Sequence, residues 1–131
     1  MSALLSLLVL DPRLRPWRYR LALFLYLMIL AMGSVPGARA DIGLVASGIV
    51  LHSLAYGTIT FLLFTGSTGS LRQCAIKSVA TVAAMGAFDE IVQGFLPYRH
   101  GTLADWAVDL SAALLTAALL WAAMHRRSRA T

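Results

Sequence analysis

The sequence has few cysteines and few charged residues. Its one cysteine, Cys74, excludes an intrachain disulfide, and the chain contains no Cys-x-x-Cys metal or redox motif. Only 13% of the 131 residues are charged and 59% are hydrophobic, whereas an ordinary soluble domain has about 25% charged residues. A soluble domain of this length could not bury so much apolar surface. The composition therefore indicates a single domain that is solvated largely by lipid.

Acidic residues are scarcer than basic ones, six against eleven, which gives a net charge of +5. A basic chain can bind nucleic acid, but here the basic residues form short clusters between apolar runs. Membrane-topology signals occupy such positions. We therefore expect the lipid bilayer as a partner and no nucleic acid.

Long apolar runs are what the sequence has in abundance. A membrane-spanning helix needs roughly 20 mainly apolar residues, and four runs meet this requirement: 19–35, 42–64, 74–96 and 103–124. The predicted fold class is all-α, an integral membrane four-helix bundle. Its transmembrane domain covers residues 19–124, between an amino-terminal segment, 1–18, and a basic cytoplasmic tail, 125–131.

The apolar residues 2–10 are too few to cross the bilayer, because a helix rises about 1.5 Å per residue. We expect them to form a short interfacial helix at the cytoplasmic face.

The distribution of basic residues predicts the orientation. With four spans, one side of the membrane holds nine of them: Arg13, Arg15, Arg18, Arg20, Arg72, Lys77, Arg126, Arg127 and Arg129. The other side holds only Arg39 and Arg99. Since cytoplasmic loops carry the excess of Lys and Arg, both termini are predicted to be cytoplasmic. That placement requires an even number of spans.

The first span has an alternative interpretation. An arginine-rich segment, 13–20, precedes the apolar run 21–32, and Ala38-Arg39-Ala40 resembles a signal-peptidase site. Whether this span is retained or cleaved is left open by the sequence.

Spans three and four are rich in small residues, mostly alanine, which let helix backbones approach closely in lipid. We expect these two spans to pack tightly as a hairpin turned at residues 96–101.

The ionisable residues inside the predicted spans include His52, Asp89, Glu90, Asp105 and Asp109. A charged side chain at mid-bilayer costs about 2.5–3.5 kcal/mol on insertion scales. Such residues are therefore expected to face the inside of the bundle, and they are candidates for function.

Helical spacing groups these residues. Glu90 and Gln93 are three apart, whereas the pairs Asp105–Asp109 and His52–Tyr56 are four apart, so each pair shares a helix face. We expect these faces to converge on a polar pocket at the outer side, with Arg99 as the counter-charge. The predicted ligand-binding residues are His52, Tyr56, Glu90, Gln93, Arg99, Asp105 and Asp109.

The pocket admits two interpretations, a ligand site or a polar network that holds spans three and four in register. Asp89 lies about 100° around the helix from Glu90 and ranks below it. For catalysis, Glu90 or His52 is the candidate base and Asp105 the candidate acid. No metal site and no cofactor are expected, because no close His/acid spacing on one helix supports one.

The run from Phe88 to Asp105, FDEIVQGFLPYRHGTLAD, resembles the signature of VanZ-like membrane proteins. That signature has Asp-Glu-x-x-Gln, then an aromatic residue, Pro and Arg, then an Asp that opens the last span. An upstream His in the second span, here His52, is also similar. The resemblance covers about residues 20–122. Asp109 departs from it, since the family usually has Asn there, and so does an alanine, Ala112 or Ala113, where the family often has Gly.

The resemblance implies a multi-pass protein of the bacterial cytoplasmic (inner) membrane that acts at the cell envelope. The family takes its name from a protein linked to resistance against the glycopeptide antibiotic teicoplanin, and it implies no reaction. We expect the pocket to bind an anionic lipid, a lipid-linked wall precursor or an amphiphilic antibiotic. The alternatives are an intramembrane enzyme acting on a lipid-borne substrate, and a small proton-coupled transporter. A homo-oligomer is compatible with each.

Overall fold

The computed structural model describes Val9 and residues 11–37 and 47–130. This part of the chain contains four α-helices and no strand, which confirms the predicted all-α class. The helices are α1 (Arg15–Gly33), α2 (Gly48–Gly66), α3 (Leu71–Gly94) and α4 (Leu103–Ala130), and a 3-10 turn, Pro12–Leu14, precedes α1. The predicted interfacial helix at 2–10 lies outside the described residues except for Val9, and the Ala38-Arg39-Ala40 site lies wholly outside them.

Local capping explains where α3 begins. Ser70 Oγ accepts a hydrogen bond from Gln73 N at 3.2 Å, and Gln73 Oε1 accepts one from Ser70 N at 2.9 Å. This reciprocal capping box satisfies two backbone N–H groups that a helix start leaves unpaired. The helix therefore starts at Leu71, three residues before the apolar run that marked the predicted span.

The carboxyl-terminal residues 125–130, which were predicted as a tail, continue α4. Arg127 and Arg129 occupy its last turn. Arginine has a high helix propensity, and its charge is favourable beside the negative end of the helix dipole. The predicted span ended at residue 124 because it was defined by apolar residues. The basic residues that follow are not apolar, yet they extend the helix.

Helix α2 contacts each of the other three helices, and α3 and α4 pack extensively on each other. This confirms the expected tight hairpin. The residues of α4 that are buried in the bundle, Asp109, Ala113 and Ala117, are four apart, so they form one stripe along the helix. Two of the three are alanines, and their small side chains let α4 approach its neighbours closely.

The first helix packs mainly on α2. Arg18 is 7% exposed, and its Nε and Nη2 donate to the carbonyl oxygen of Thr65 at 3.1 and 2.8 Å. A carbonyl at the end of α2 that lacks an intrahelical partner is thereby satisfied. The approach is close, since a Cβ on Gly66 would lie 2.9 Å from the Tyr19 nitrogen.

Among the described residues, two helices are long and apolar enough to cross a membrane, Gly48–Gly66 and Leu103–Arg129. A buried core helix of a soluble protein can have the same length and apolar composition. These helices differ from such a core helix in exposure, because only 39% and 17% of their apolar stretches are buried within the protein. Both features are consistent with membrane association.

Candidate functional site

A cavity of about 280 Å³ opens at the end of the bundle where α1 and α3 finish and α2 begins. Its apolar lining comes mainly from α1 and α2, including Ile29, Met32, Leu51 and Ala55. Its polar lining consists of His52, Tyr56, Asp89, Gln93 and Arg99. Four of these five residues were predicted from the sequence as ligand-binding. An apolar cavity with a few convergent polar groups is the usual form of a small-molecule site.

Arg99 connects the α3–α4 loop to the end of α1. Its Nη1 donates to the carbonyl oxygen of Gly33 at 2.6 Å, and its Nη2 donates to Gln93 Oε1 at 2.6 Å. The neighbouring Tyr98 hydroxyl donates to the carbonyl oxygen of Ser34. Arg99 Nε is buried and has no hydrogen-bond partner among the described residues. Neither of the two bonds ends on a carboxylate, so the guanidinium charge is not neutralised by its hydrogen-bond partners.

Asp89 and Gln93 lie one turn apart on the buried stripe of α3, and each is 2% exposed. The Tyr56 hydroxyl donates to Asp89 Oδ2 at 3.3 Å. The other carboxylate oxygen, Oδ1, is buried without a hydrogen-bond partner in the described structure. Leaving a buried polar atom unpaired costs about 1–3 kcal/mol, and more when the group is charged. Asp89, which lines the cavity, therefore has one acceptor oxygen that no donor among the described residues satisfies.

His52 contacts Asp109 across the α2–α4 interface. The His52 Nδ1 and Asp109 Oδ1 atoms are 2.8 Å apart, and Asp109 is fully buried. Asp109 Oδ2 faces α3, where a Cβ on Gly86 would lie 3.0 Å from it. The His52 ring stacks on Tyr56 with centroids 6.1 Å apart. Asp109 thus lies behind His52 and orients its ring instead of lining the cavity.

Glu90 and Asp105 were also predicted as ligand-binding, but the structure places them at the hairpin, away from the cavity lining. A Glu90 carboxylate oxygen accepts a hydrogen bond from the backbone nitrogen of Thr102. Thr102 Oγ1 in turn accepts one from Asp105 N at 3.1 Å, an N-cap of α4. A Cβ on Gly101 would lie 2.2 Å from the Glu90 carbonyl oxygen. The pair is therefore part of a tightly closed turn.

Sequence reasoning ranked Asp89 below Glu90, whereas the structure places Asp89 in the cavity lining. A usable signal was present. The buried residues of α3 include Ser78, Val82, Gly86, Asp89 and Gln93, which recur every three or four positions. This helical stripe contains Asp89 and excludes Glu90.

No group of three or more His, Cys, Asp or Glu side chains within the described part of the chain is arranged to hold a metal ion. The polar side chains that line the cavity offer one cation, one carboxylate, an amide, a phenol and an imidazole held by a buried acid.

The chain matches no protein-family model, no curated protein and no solved structure. The VanZ-like resemblance stays a prediction from the sequence motif.

Proposed function

We propose that the chain crosses the bacterial cytoplasmic membrane four times, with both termini in the cytoplasm. Large apolar side chains on the outside of the bundle support a lipid environment, for example Phe24 and Leu27 of α1 and Leu115 and Leu119 of α4, which are 58–63% exposed. Apolar surface on this scale is unusual for a soluble monomer. The basic residues at the amino end of α1 and the carboxyl end of α4 favour that end as cytoplasmic.

The contacts of α1 support its retention as a span. A cleaved signal would leave the protein, yet Arg18, Ala22 and Tyr26 of this helix are buried against the rest of the bundle. The Tyr26 hydroxyl donates to the carbonyl oxygen of Met85 in α3 at 3.1 Å. Two tryptophans near the basic end, Trp17 and Trp121, are 65% and 43% exposed, as expected at a membrane interface.

We further propose that the cavity binds the anionic headgroup of an amphiphile, in a membrane protein of the VanZ-like type. The observation that carries this proposal is Arg99, whose guanidinium is held at the cavity by two neutral acceptors and has an unpartnered Nε. Anions are the natural partner of such a group. The adjacent apolar lining from α1 and α2 suits the less polar part of the same molecule.

The cavity volume favours one ligand class over another. Sites for drug-sized ligands measure about 300–1,000 Å³, and this cavity is about 280 Å³. A lipid headgroup, or the phosphate end of a lipid-linked wall precursor, fits that volume. A whole glycopeptide antibiotic is far larger, so a link to antibiotic resistance would act through the envelope lipid or precursor.

Binding of a short-chain phosphate amphiphile tests the proposal. Purified protein in neutral detergent is titrated with dihexanoylphosphatidic acid, followed by calorimetry, with dihexanoylglycerol as the uncharged comparison. We expect Arg99→Gln to weaken binding at least about tenfold, because one charge-assisted hydrogen bond contributes roughly 1.5–3 kcal/mol. Lys77→Gln is the matched control, since Lys77 is an exposed cation at the opposite end of the bundle.

Leu51→Trp provides an independent variant, because it fills the cavity without altering the polar contacts. It is expected to reduce binding as well. Equal affinity of wild type, Arg99→Gln and Leu51→Trp for the phosphate amphiphile would overturn the proposal.

The His52–Asp109 contact favours a second candidate function, acid–base catalysis on the bound headgroup. With Nδ1 held by a buried carboxylate, the Nε2 atom of His52 is the nitrogen available for proton transfer. Ester hydrolysis needs no co-reactant besides water: His52 takes a proton from the attacking water and returns it to the leaving oxygen.

Mass spectrometry of the incubated amphiphile tests this candidate. Hydrolysis that His52→Gln abolishes without loss of binding supports it, and an unchanged amphiphile rejects it.

A further inference from the structure

Two side chains of the cavity lining, Asp89 and Arg99, each have a buried atom that lacks a hydrogen-bond partner among the described residues: Oδ1 of Asp89 and Nε of Arg99. The remaining atoms of both groups are already fixed. Asp89 Oδ2 accepts from Tyr56, and the two terminal nitrogens of Arg99 donate to Gly33 and Gln93. The two unpartnered atoms therefore belong to side chains that are held in place before a ligand arrives.

The two atoms need opposite partners. Arg99 Nε donates and carries positive charge, so it pairs with an anionic acceptor. Asp89 Oδ1 accepts, so it pairs with a donor, and a cationic N–H group makes the stronger bond. A ligand that carries both an anionic group and an ammonium group satisfies both atoms with charge-assisted hydrogen bonds.

The spacing of the two positions limits the linker between those groups. Asp89 and Gln93 are four residues apart on α3, about 6 Å along the helix axis. Arg99 Nη2 lies 2.6 Å from Gln93 Oε1, so the guanidinium contacts the end of the Gln93 side chain. By backbone position, the residue that would bind the ammonium is about one helical turn deeper than the residue that holds the guanidinium, a separation that a chain of two or three atoms covers.

We infer that the cavity selects a zwitterionic headgroup in which a primary ammonium, bound by Asp89, is joined through a short linker to a phosphate bound by Arg99. The inference rests on the proposed function, which requires only the anion. Two stacked rings, His52 and Tyr56, form the wall beside Asp89, and aromatic faces attract cations. A primary ammonium is preferred to a trimethylated one, because only the former has N–H groups for Oδ1.

A matched pair of ligands tests the inference on the unaltered protein. Dihexanoylphosphatidylethanolamine and its N-acetyl derivative share the phosphate and the acyl chains but differ in the ammonium. We expect the ethanolamine lipid to bind at least about tenfold more tightly, as for the loss of one charge-assisted hydrogen bond. The phosphocholine counterpart is expected to bind more weakly than the ethanolamine lipid.

Asp89→Asn is expected to abolish the preference for the ethanolamine lipid. Asp105→Asn is its control, because Asp105 is a carboxylate at the same end of the bundle that does not line the cavity. The ligand pair decides the question even if Asp89→Asn does not fold. Retention of the full preference in folded Asp89→Asn protein would overturn the assignment of Asp89.

Competition with water-soluble phosphoethanolamine identifies the source of the headgroup. Displacement of the lipid at equal affinity supports the zwitterion site and assigns it to a soluble ligand, whereas tighter binding of the lipid assigns it to the membrane. Equal binding of the ethanolamine lipid and its N-acetyl derivative overturns the inference and leaves the proposed function standing. Failure of every phosphate amphiphile to bind overturns both.

Discussion

His52 and Asp109 meet across the α2–α4 interface with 2.8 Å between Nδ1 and Oδ1, and Asp109 has no exposed surface. The contact is a hydrogen bond whose Asp109 side is shielded from water, and it gains a charge interaction when His52 is protonated. Replacing both partners of a buried pair with apolar residues is often nearly neutral. Removing one partner is strongly destabilising, because the remaining polar group is buried without compensation.

We predict that Asp109→Ala destabilises the protein by about 3–5 kcal/mol, the usual cost of breaking a buried pair. Asp109→Asn should cost less, since the amide oxygen can still accept from His52 Nδ1 and the volume is kept. Thermal unfolding in detergent, followed by circular dichroism, measures both. Equal losses for Asn and Ala would show that the charge of Asp109, and not the hydrogen bond, dominates.

The contact between Arg18 and Thr65 supports a second prediction. Two nitrogens of the guanidinium share one carbonyl oxygen at the end of α2. Arg18→Met keeps much of the apolar stem but leaves that carbonyl without these donors, so we expect a loss of about 2–3 kcal/mol. Arg13→Met is the control, because the Arg13 side chain is exposed, and its melting temperature should stay close to that of the wild type. A comparable loss in both variants would mean that net charge, not the contact, matters.

Features of the structure that depend on the composition of a segment could be predicted from the sequence, whereas features that depend on specific contacts could not. Apolar runs predicted the four helices, because the apolar residues that a helix buries or exposes to lipid can be recognised in the sequence of that segment. The polar first turn of α3 and the basic last turns of α4 were missed, because capping and the helix dipole extend helices beyond apolar runs.

The placement of Asp89 and Glu90 depended on contacts distant in sequence. Both have a spacing to Gln93 that fits a helix face, at four and three residues. The Tyr56 hydroxyl contacts Asp89, while the backbone of Thr102 contacts Glu90. The geometry of the loop that brings Thr102 to Glu90 is not encoded in helical periodicity, so the spacing to Gln93 could not rank the two acids, and only the longer buried stripe of α3 distinguishes them.

The close turn at Gly101 gives a third prediction. An added Cβ would lie 2.2 Å from the Glu90 carbonyl oxygen, closer than real contacts allow, whereas a Cβ on Gly94 would meet nothing within 4 Å. We expect Gly101→Ala to cost about 1–3 kcal/mol, the range for overpacking. Gly94→Ala should be neutral or slightly stabilising, because alanine restricts the unfolded chain. Equal stabilities of the two variants would contradict the tight closure of the hairpin.

The proposed orientation gives the last prediction, and the single cysteine makes it straightforward to test. In a Cys74→Ala background, a cysteine is introduced either by His100→Cys in the α3–α4 loop or by Ser128→Cys near the end of α4, both exposed positions. Because cytoplasmic segments carry the excess of basic residues, we expect a membrane-impermeant maleimide to label His100→Cys in intact cells. It should label Ser128→Cys only after the membrane is permeabilised. The reverse pattern would invert the topology and place the cavity at the cytoplasmic face, and labelling of both in intact cells would contradict the spanning of α4.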